Sequence, residues 1–130
     1  MDTKIINAEN APAAVGPYCH AVEAGDFVFT SGQIGLDPQT QELKEGVAAQ
    51  TKQVLANVGA VLKASDLTLD NVIKTTVFLA DINDFARAAY LLGKYVMRIS
   101  ILVSLVLSCI WALMGEDRTD SFIHRSFIFS

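Results

Sequence analysis

The sequence predicts a single α+β domain, and three observations lead to this fold class. Short β-prone stretches separated by turn residues fill the first third of the chain, a helical period follows them, and a dense run of β-branched residues comes next. A length of 130 residues is that of one ordinary domain with one core. We therefore expect one domain over residues 1–130, with its elements in the order β-β-β-α-β-α.

The first three elements are predicted to be short strands. Ile5 and Ile6 precede a loop that contains two prolines, which is typical of an edge strand. Val22 and the run Phe27–Thr30 lie on either side of a turn signal at Gly25. A β-hairpin is therefore expected there.

An amphipathic helix is predicted after two glycines, Gly32 and Gly35, at which the backbone must bend or be approached closely. Apolar side chains then recur at helical spacing, with polar side chains on the opposite arc. The positions that follow this period are Val47, Thr51, Val54, Leu55, Val58, Val61 and Leu62.

The run Val72–Leu79 is the strongest strand signal in the chain because it is dense in β-branched residues, and we expect a central strand. Asp81 or Asn83 can cap a second helix after it. The apolar residues of that helix recur every three or four positions, at Phe85, Ala88, Ala89, Leu92 and Val96.

Composition and charge narrow the classes of partner. A formal net charge of -4 repels phosphate backbones, so nucleic acid is not expected to bind. Cys19 and Cys109 are too few for a disulfide framework, and His20 and His124 offer no metal cluster, so no bound metal is expected. No apolar run of signal-peptide length precedes Pro12, which favours a cytoplasmic protein.

Five strings of residues together carry a resemblance to a known family. They are Glu9–Tyr18, Thr30–Ile34, Ala49–Thr51, Val72–Leu79 and Asn83–Phe85. In their order and spacing they resemble the RidA/YjgF family, also described as L-PSP endoribonuclease-like, which includes the 2-iminobutanoate/2-iminopropanoate deaminases. The resemblance covers residues 1–86.

The resemblance implies a chorismate-mutase-like fold, in which a mixed sheet is backed by two helices. It also implies a homotrimer around a barrel of packed sheets, with active sites between subunits. Members hydrolyse reactive 2-imino acids or their enamine tautomers, such as 2-iminopropanoate and 2-iminobutanoate, to 2-oxo acids and ammonia without a metal or cofactor. The expected small-molecule partner is therefore a 2-imino acid or a 2-oxo acid.

Two residues are carried over as site residues by the same resemblance. Tyr18, which follows Gly-Pro, is the candidate catalytic residue and a candidate substrate-binding residue, and Gly32 in the Ser-Gly-Gln turn is the second substrate-binding candidate. Tyr18 could instead be an aromatic residue packed at a subunit boundary, and Gly32 a glycine needed for backbone geometry. Cys19 and His20 are not expected to form a nucleophile pair, because adjacent strand residues point to opposite faces.

Residues 87–130 do not continue the quoted motifs. The family arginine, which holds the substrate carboxylate from a Pro-Ala-Arg-Ser strand, would fall near Val103–Val106, and none of those positions is arginine. Arg98 comes too early and Arg118 too late, while Glu116 lies in a turn-like stretch and does not match the family's last-strand glutamate. We therefore expect deaminase activity to be weakened in this chain.

Three hypotheses about the structure or origin of residues 87–130, the atypical region, remain open. The apolar run over residues 99–115 reaches the lower length limit of a membrane-spanning helix. Ile101–Leu107 could instead be a buried strand, since short apolar runs suit one. The third hypothesis is an altered reading frame or an alternative exon, joined after an intact N-terminal part.

The leading functional hypothesis is hydrolytic deamination of 2-imino acids, weakened by the missing cation. The first alternative is a non-catalytic trimer that binds a small ligand or acts as a chaperone-like surface. The second is an endoribonuclease or translation inhibitor, for which the acidic charge gives no support.

Overall fold

The computed structural model of the protein describes residues 2–96, 102–107 and 127–129. Within these ranges the chain forms six strands and two α-helices, with short 3₁₀ turns ahead of β4 and α2. The strands are β1 (Thr3–Ile6), β2 (Ala21–Ala24), β3 (Phe27–Thr30), β4 (Lys74–Leu79), β5 (Leu102–Leu107) and β6 (Phe127–Phe129). The helices are α1 (Val47–Lys63) and α2 (Phe85–Val96).

The six strands belong to one mixed sheet with the order β1-β2-β3-β6-β4-β5. β4 and β5 are parallel, and the other neighbours are antiparallel. The α+β class and the mixed sheet with two helices are therefore confirmed. β1 lies at one edge of the sheet, and β4 lies between β6 and β5, as the sequence predicted.

The β2-β3 hairpin turns at Gly25, as predicted. Ala21 lies opposite Thr30, and Ala24 lies opposite Phe27 across the turn. Gly25 has a φ of 60°, a conformation that costs an L side chain more than it costs glycine. This turn sets the register of the hairpin.

One face of the sheet carries the core, and α1 packs against it. Ile6, Ala21 and Thr30, which lie opposite one another in register, are buried, and Val61 of α1 belongs to the same apolar cluster as Ile6 and Ala21. A second cluster joins α1 to α2 and to the segment before β4. Its members are Val54, Leu55, Val58, Leu62, Val72 and Leu92. The predicted apolar stripe of the first helix is therefore confirmed over Val54–Leu62.

Two details of the second half differ from the prediction. β4 begins at Lys74 and not at Val72, because a 3₁₀ turn capped by Thr68 ends there and Val72 is buried in the core. Phe85 was expected on the buried stripe of the second helix, but 43% of it is exposed. It is the first residue of α2, and burial begins one turn later at Ala88.

The structure of β5 distinguishes the buried-strand hypothesis from the membrane-helix hypothesis for the atypical region. Leu102–Leu107 is a strand paired with β4, which agrees with the strand interpretation and contradicts a helical anchor through these residues. Within the parts of the chain that the structure describes, no helix combines the length and apolar character needed to span a bilayer. The rest of the 99–115 run lies outside the described residues, as do Arg98, Cys109, Arg118 and His124.

Candidate functional site

Tyr18 lies in the connection that leads from β1 into β2. Its backbone N–H donates to the carbonyl of Gly16 over 2.9 Å, so the chain turns tightly just before it. Gly16 has a φ of 151°, which favours glycine at this turn. The side chain of Tyr18 is 49% exposed, so solvent and small solutes can reach it.

Ser31 ties the Tyr18 segment to the segment that contains Gly32. The backbone N–H of Ser31 donates to the carbonyl of His20 over 2.9 Å, and its hydroxyl donates to the carbonyl of Cys19 over 2.6 Å. These bonds continue the β2-β3 pairing beyond the strand ends. Tyr18 directly precedes Cys19, and Gly32 directly follows Ser31. The two predicted site residues therefore lie on neighbouring backbone segments.

The chain that follows Gly32 is held from the other side by α1. Asn57 is 1% exposed, and its side-chain amide donates to the carbonyls of Ile34 and Leu36 over 3.0 and 2.9 Å. A Cβ added to Gly35 would lie 2.8 Å from the Cα of Gln50, so glycine is required there. The predicted close approach at Gly35 is confirmed. Positions 31–36 are therefore fixed by contacts from two directions, which preorganises a site built on them.

Asn57 is a residue that the sequence analysis missed. A polar side chain between Val54, Val58 and Val61, on the apolar face of a helix, was the available signal. Buried amides are retained where they satisfy backbone groups, and Asn57 satisfies two carbonyls.

His20 has a structural environment that the sequence did not reveal. Its ring is buried, Nδ1 lies 2.9 Å from the backbone N of Ala8, and Nε2 lies 2.9 Å from the carbonyl oxygen of Pro12. Both ring nitrogens are thus engaged by backbone. This agrees with the expectation that Cys19 and His20 do not act as a nucleophile pair.

A small open pocket of about 50 Å³ lies between α1, α2 and β4. Its walls are largely apolar, and no charged side chain is among the residues that line it. The lining residues are Gln33, Val47, Gln50, Thr51, Val54, Thr76, Val77, Phe78, Leu79, Ala88 and Leu92. They include Gln33, which follows Gly32, but neither Tyr18 nor Gly32. The pocket is therefore adjacent in sequence to the predicted site but is not formed by it.

One ion pair in the described part of the chain lies in the loop before α1. Lys44 and Asp37 form the ion pair seen within it, with 2.8 Å between Nζ and Oδ2. The hydrogen bond from Lys44, helped by the backbone N–H groups of Gln39 and Thr40, lowers the pKa of Asp37 to about 2. This pair joins the two ends of the loop that runs from Asp37 to Lys44.

The strand that the family resemblance led us to expect near Val103–Val106 is present as β5. Its six residues, Leu-Val-Ser-Leu-Val-Leu, contain no arginine. Ser104 is the polar residue of this strand, and it pairs in register with Thr76, which lines the small pocket. The element is therefore kept, while the residue type that would hold a carboxylate is absent from it.

Comparison with known proteins gives consistent matches. The profile of the family described as Endoribonuclease L-PSP matches residues 8–106. A RutC family protein of Synechocystis is 54% identical over 97 residues, which cover 73% of this chain and 75% of that protein. A 2-iminobutanoate/2-iminopropanoate deaminase of Salmonella typhimurium is 51% identical over 84 residues, which cover 65% of this chain and 66% of the deaminase.

Solved structures agree with the sequence relatives. RidA from an Antarctic Psychrobacter is similar with a TM-score of 0.76 and 39% identity, and the match covers 79% of this chain and 84% of RidA. The Rid family protein YyfA from Yersinia pestis is similar with a TM-score of 0.80 and 29% identity, over 98% of this chain and 94% of YyfA.

The family match also corrects the extent of the resemblance. The resemblance found from the sequence ends at Ala86, whereas the profile continues to residue 106 and so includes α2 and most of β5. Apolar strands and helices match a family profile through their hydrophobic pattern and need not contain a short motif. The short motifs therefore gave too early an end to the resemblance. This chain belongs to the Endoribonuclease L-PSP family, the family of the RidA and RutC proteins.

Proposed function

We propose that this chain binds 2-imino acids and their 2-oxo acid products beside Tyr18 and Gly32, and that it hydrolyses the imine slowly. The observation that carries the proposal is the pair of Ser31 hydrogen bonds that holds these two segments side by side. The relationship to a 2-iminobutanoate/2-iminopropanoate deaminase, 51% identical over 84 residues, supports the reaction type.

The proposed reaction adds water to the imine carbon and then releases ammonia. Attack by water gives a tetrahedral carbinolamine, proton transfer to its nitrogen makes ammonia the leaving group, and the carbon–oxygen double bond of the 2-oxo acid forms. The hydroxyl of Tyr18 can both donate and accept a hydrogen bond, so it suits orientation of the water or the imine nitrogen. The backbone around Gly32 lets a planar substrate approach closely because no Cβ intervenes.

Slow turnover follows from the residues of β5. A substrate carboxylate gains most orientation from a charge-assisted, bidentate bond to arginine, and the strand expected to supply it contains none. Without that bond the substrate samples unproductive poses, so we expect a rate lower than that of the deaminase relatives by about tenfold or more.

The test is release of ammonia and pyruvate from freshly generated 2-iminopropanoate, with the Salmonella relative as the positive control. We expect a small rate above that of buffer alone, and we expect Tyr18→Phe to remove that excess while leaving the thermal midpoint unchanged. A rate equal to that of the relative would contradict the weakened site. Equal rates for the chain and for Tyr18→Phe would contradict the role of Tyr18.

We also propose that the chain assembles as a homotrimer through the sheet face that faces away from the helices. Ile5 and Phe29 lie in register with Val22 on this face and are 67% and 41% exposed. Exposed apolar surface of this kind marks an interaction site. A second copy of the same face is the partner that the family resemblance implies.

A second candidate function rests on the small pocket between α1, α2 and β4. Its apolar walls and the carboxamide of the buried Gln33 suit a small neutral ligand with one polar group, and not an anion. Isobutyramide is a suitable probe. Saturable shifts of the methyl signals of Val54 and Leu92 on addition of isobutyramide, absent in Ala88→Phe, would favour this function. Shifts that do not saturate would exclude small neutral amides as ligands of this pocket.

A further inference from the structure

We infer that His20 is a positioning residue that clasps the loop carrying Tyr18, and that its neutral ring does this by bonding at both nitrogens. This inference deepens the proposed function, since Tyr18 is the residue that it positions. Its structural part concerns the loop alone.

The two contacts of the ring define its hydrogen-bonding state. A backbone N–H can only donate, so the Nδ1 that lies 2.9 Å from the N of Ala8 must be the acceptor. A carbonyl can only accept, so the Nε2 that lies 2.9 Å from the oxygen of Pro12 must carry the hydrogen. Both bonds are therefore made by one neutral tautomer.

The position of these bonds makes His20 a clasp and not merely a core residue. They join residue 20 to residues 8 and 12, which lie in the connection between β1 and β2. The closed loop includes Tyr18, two residues before His20. Pinning both Ala8 and Pro12 reduces the conformations open to this loop, and a preorganised loop gives up less entropy when a ligand binds.

The surroundings of the clasp support a positional role. Ala8 and Ala11 are buried in the same apolar cluster as Ala21, which directly follows His20. Ser31 holds the backbone of His20 from the β3 side. The ring thus links a loop that bears an exposed tyrosine to a segment that the sheet already fixes.

Glutamine is the matched replacement for this ring. Its carboxamide also presents one acceptor and one donor, so His20→Gln can accept from Ala8 and donate to Pro12. His20→Leu has similar bulk and can do neither. Val61→Ala, in the same apolar cluster, is the control for a general loss of stability.

The experiment measures amide hydrogen exchange of Ala8 and the ring NMR signals of Tyr18 in the full chain. We expect His20→Leu to speed exchange at Ala8 by about tenfold, beyond any change in global stability, and to shift the Tyr18 signals. His20→Gln should return the exchange rate at Ala8 to within about threefold of that of the original chain. It should also return the Tyr18 ring signals to their original positions. Val61→Ala should not move the Tyr18 signals.

Two results would overturn the clasp: no change at Ala8 and Tyr18 in His20→Leu, or a His20→Gln variant that behaves like His20→Leu. Titration of the original chain with 2-oxobutanoate tests the proposed ligand site independently of the His20 hydrogen bonds. If the loop responds as expected but 2-oxobutanoate does not bind, the clasp stands and the proposed site fails.

Discussion

Asn57 and His20 show how single buried polar residues shape the candidate site. Each engages two backbone groups from segments distant in sequence, Asn57 at Ile34 and Leu36 and His20 at Ala8 and Pro12. Buried backbone groups without partners cost free energy, so these side chains fix the loops by making the alternatives unfavourable. Neither residue touches the expected substrate position, but both determine where the chain around it lies.

We predict that Asn57→Leu lowers the free energy of unfolding by about 2 kcal/mol or more, because two buried carbonyls lose their donor. Chemical denaturation of the variant and the original chain measures this. The matched control is Gln53→Ala, which removes only the 2.9 Å bond to the Asn57 side-chain oxygen and should cost less. Equal losses in the two variants would show that the Ile34 and Leu36 contacts are not the source of the stability.

At the residue scale, the sequence predicted some of these features and not others. Gly35 could be predicted as a point of bending or close approach because glycine has no Cβ, and Gly25 could be predicted as a turn because it stands between two β-prone stretches. The partners of His20 could not, because its bonds reach back 12 and 8 residues to a loop of irregular shape. The roles of Tyr18 and Gly32 remain predictions that rest on the family.

β5 is the element on which the proposed rate of deamination depends. It covers Val103–Val106, where the family strand was expected, and the structure pairs it with β4, but its sequence is wholly uncharged. Its apolar content suits a strand of a buried parallel pair, so the strand can form without the arginine that the family resemblance led us to expect.

We predict that Ser104→Arg raises the rate of 2-iminopropanoate hydrolysis by about tenfold, because the family resemblance implies active sites between subunits and an arginine on this strand that holds the substrate carboxylate. Ser104 is chosen as the polar position of β5 within Val103–Val106, where the family arginine was expected. Ser104→Gln, similar in length but uncharged, is the control, and circular dichroism confirms that both variants fold. If glutamine raises the rate as much as arginine does, the missing charge is not the cause of slow turnover.

The turn before α1 gives a prediction about pH. Folding lowers the pKa of Asp37 from 3.8 to about 2. The charged carboxylate therefore stabilises the folded chain at every pH above the pKa of the unfolded chain. This contribution is present at neutral pH and is lost as the pH falls from about 4 to about 2. We expect the stability of Asp37→Asn to change less over this range, with Glu42→Gln as the control in the same loop. An identical acid profile for Asp37→Asn and the original chain would contradict the assignment.

Elements were predicted best where the hydrophobic period was long. The stripe of α1 and the β2-β3 hairpin follow directly from the sequence, because helical spacing and a glycine turn are local signals. The start of β4 was wrong by two residues, since a capped 3₁₀ turn at Thr68 competes with strand propensity there. Strand β6 was not predicted, because its pairing with β3 and β4 depends on residues far away in sequence.

At the scale of the whole molecule, the two faces of the sheet differ in what covers them. The helices cover one face, and the apolar clusters lie there. On the opposite face the rings of Phe27 and Phe29 are tilted relative to each other, with centroids 6.4 Å apart, and remain substantially exposed. An isolated chain would expose this aromatic surface to water, which is why self-association through it is the expected solution.

We predict that Phe29→Lys shifts the chain from a trimer to a monomer, because a charge placed in the apolar interface is costly to desolvate. Sedimentation equilibrium measures the mass. Val15→Lys adds the same charge at an exposed loop residue away from the strands and should leave the trimer intact. A monomeric original chain, or a trimeric Phe29→Lys variant, would contradict assembly through this face.

An amide NMR titration of the full chain with 2-oxobutanoate tests the proposed site most directly. A ligand bound beside Tyr18 and Gly32 should give saturable shifts concentrated in residues 16–20 and 31–34, and weaker shifts in Tyr18→Phe. Shifts confined to the small pocket between α1, α2 and β4, or no saturable shift at any amide, would contradict it.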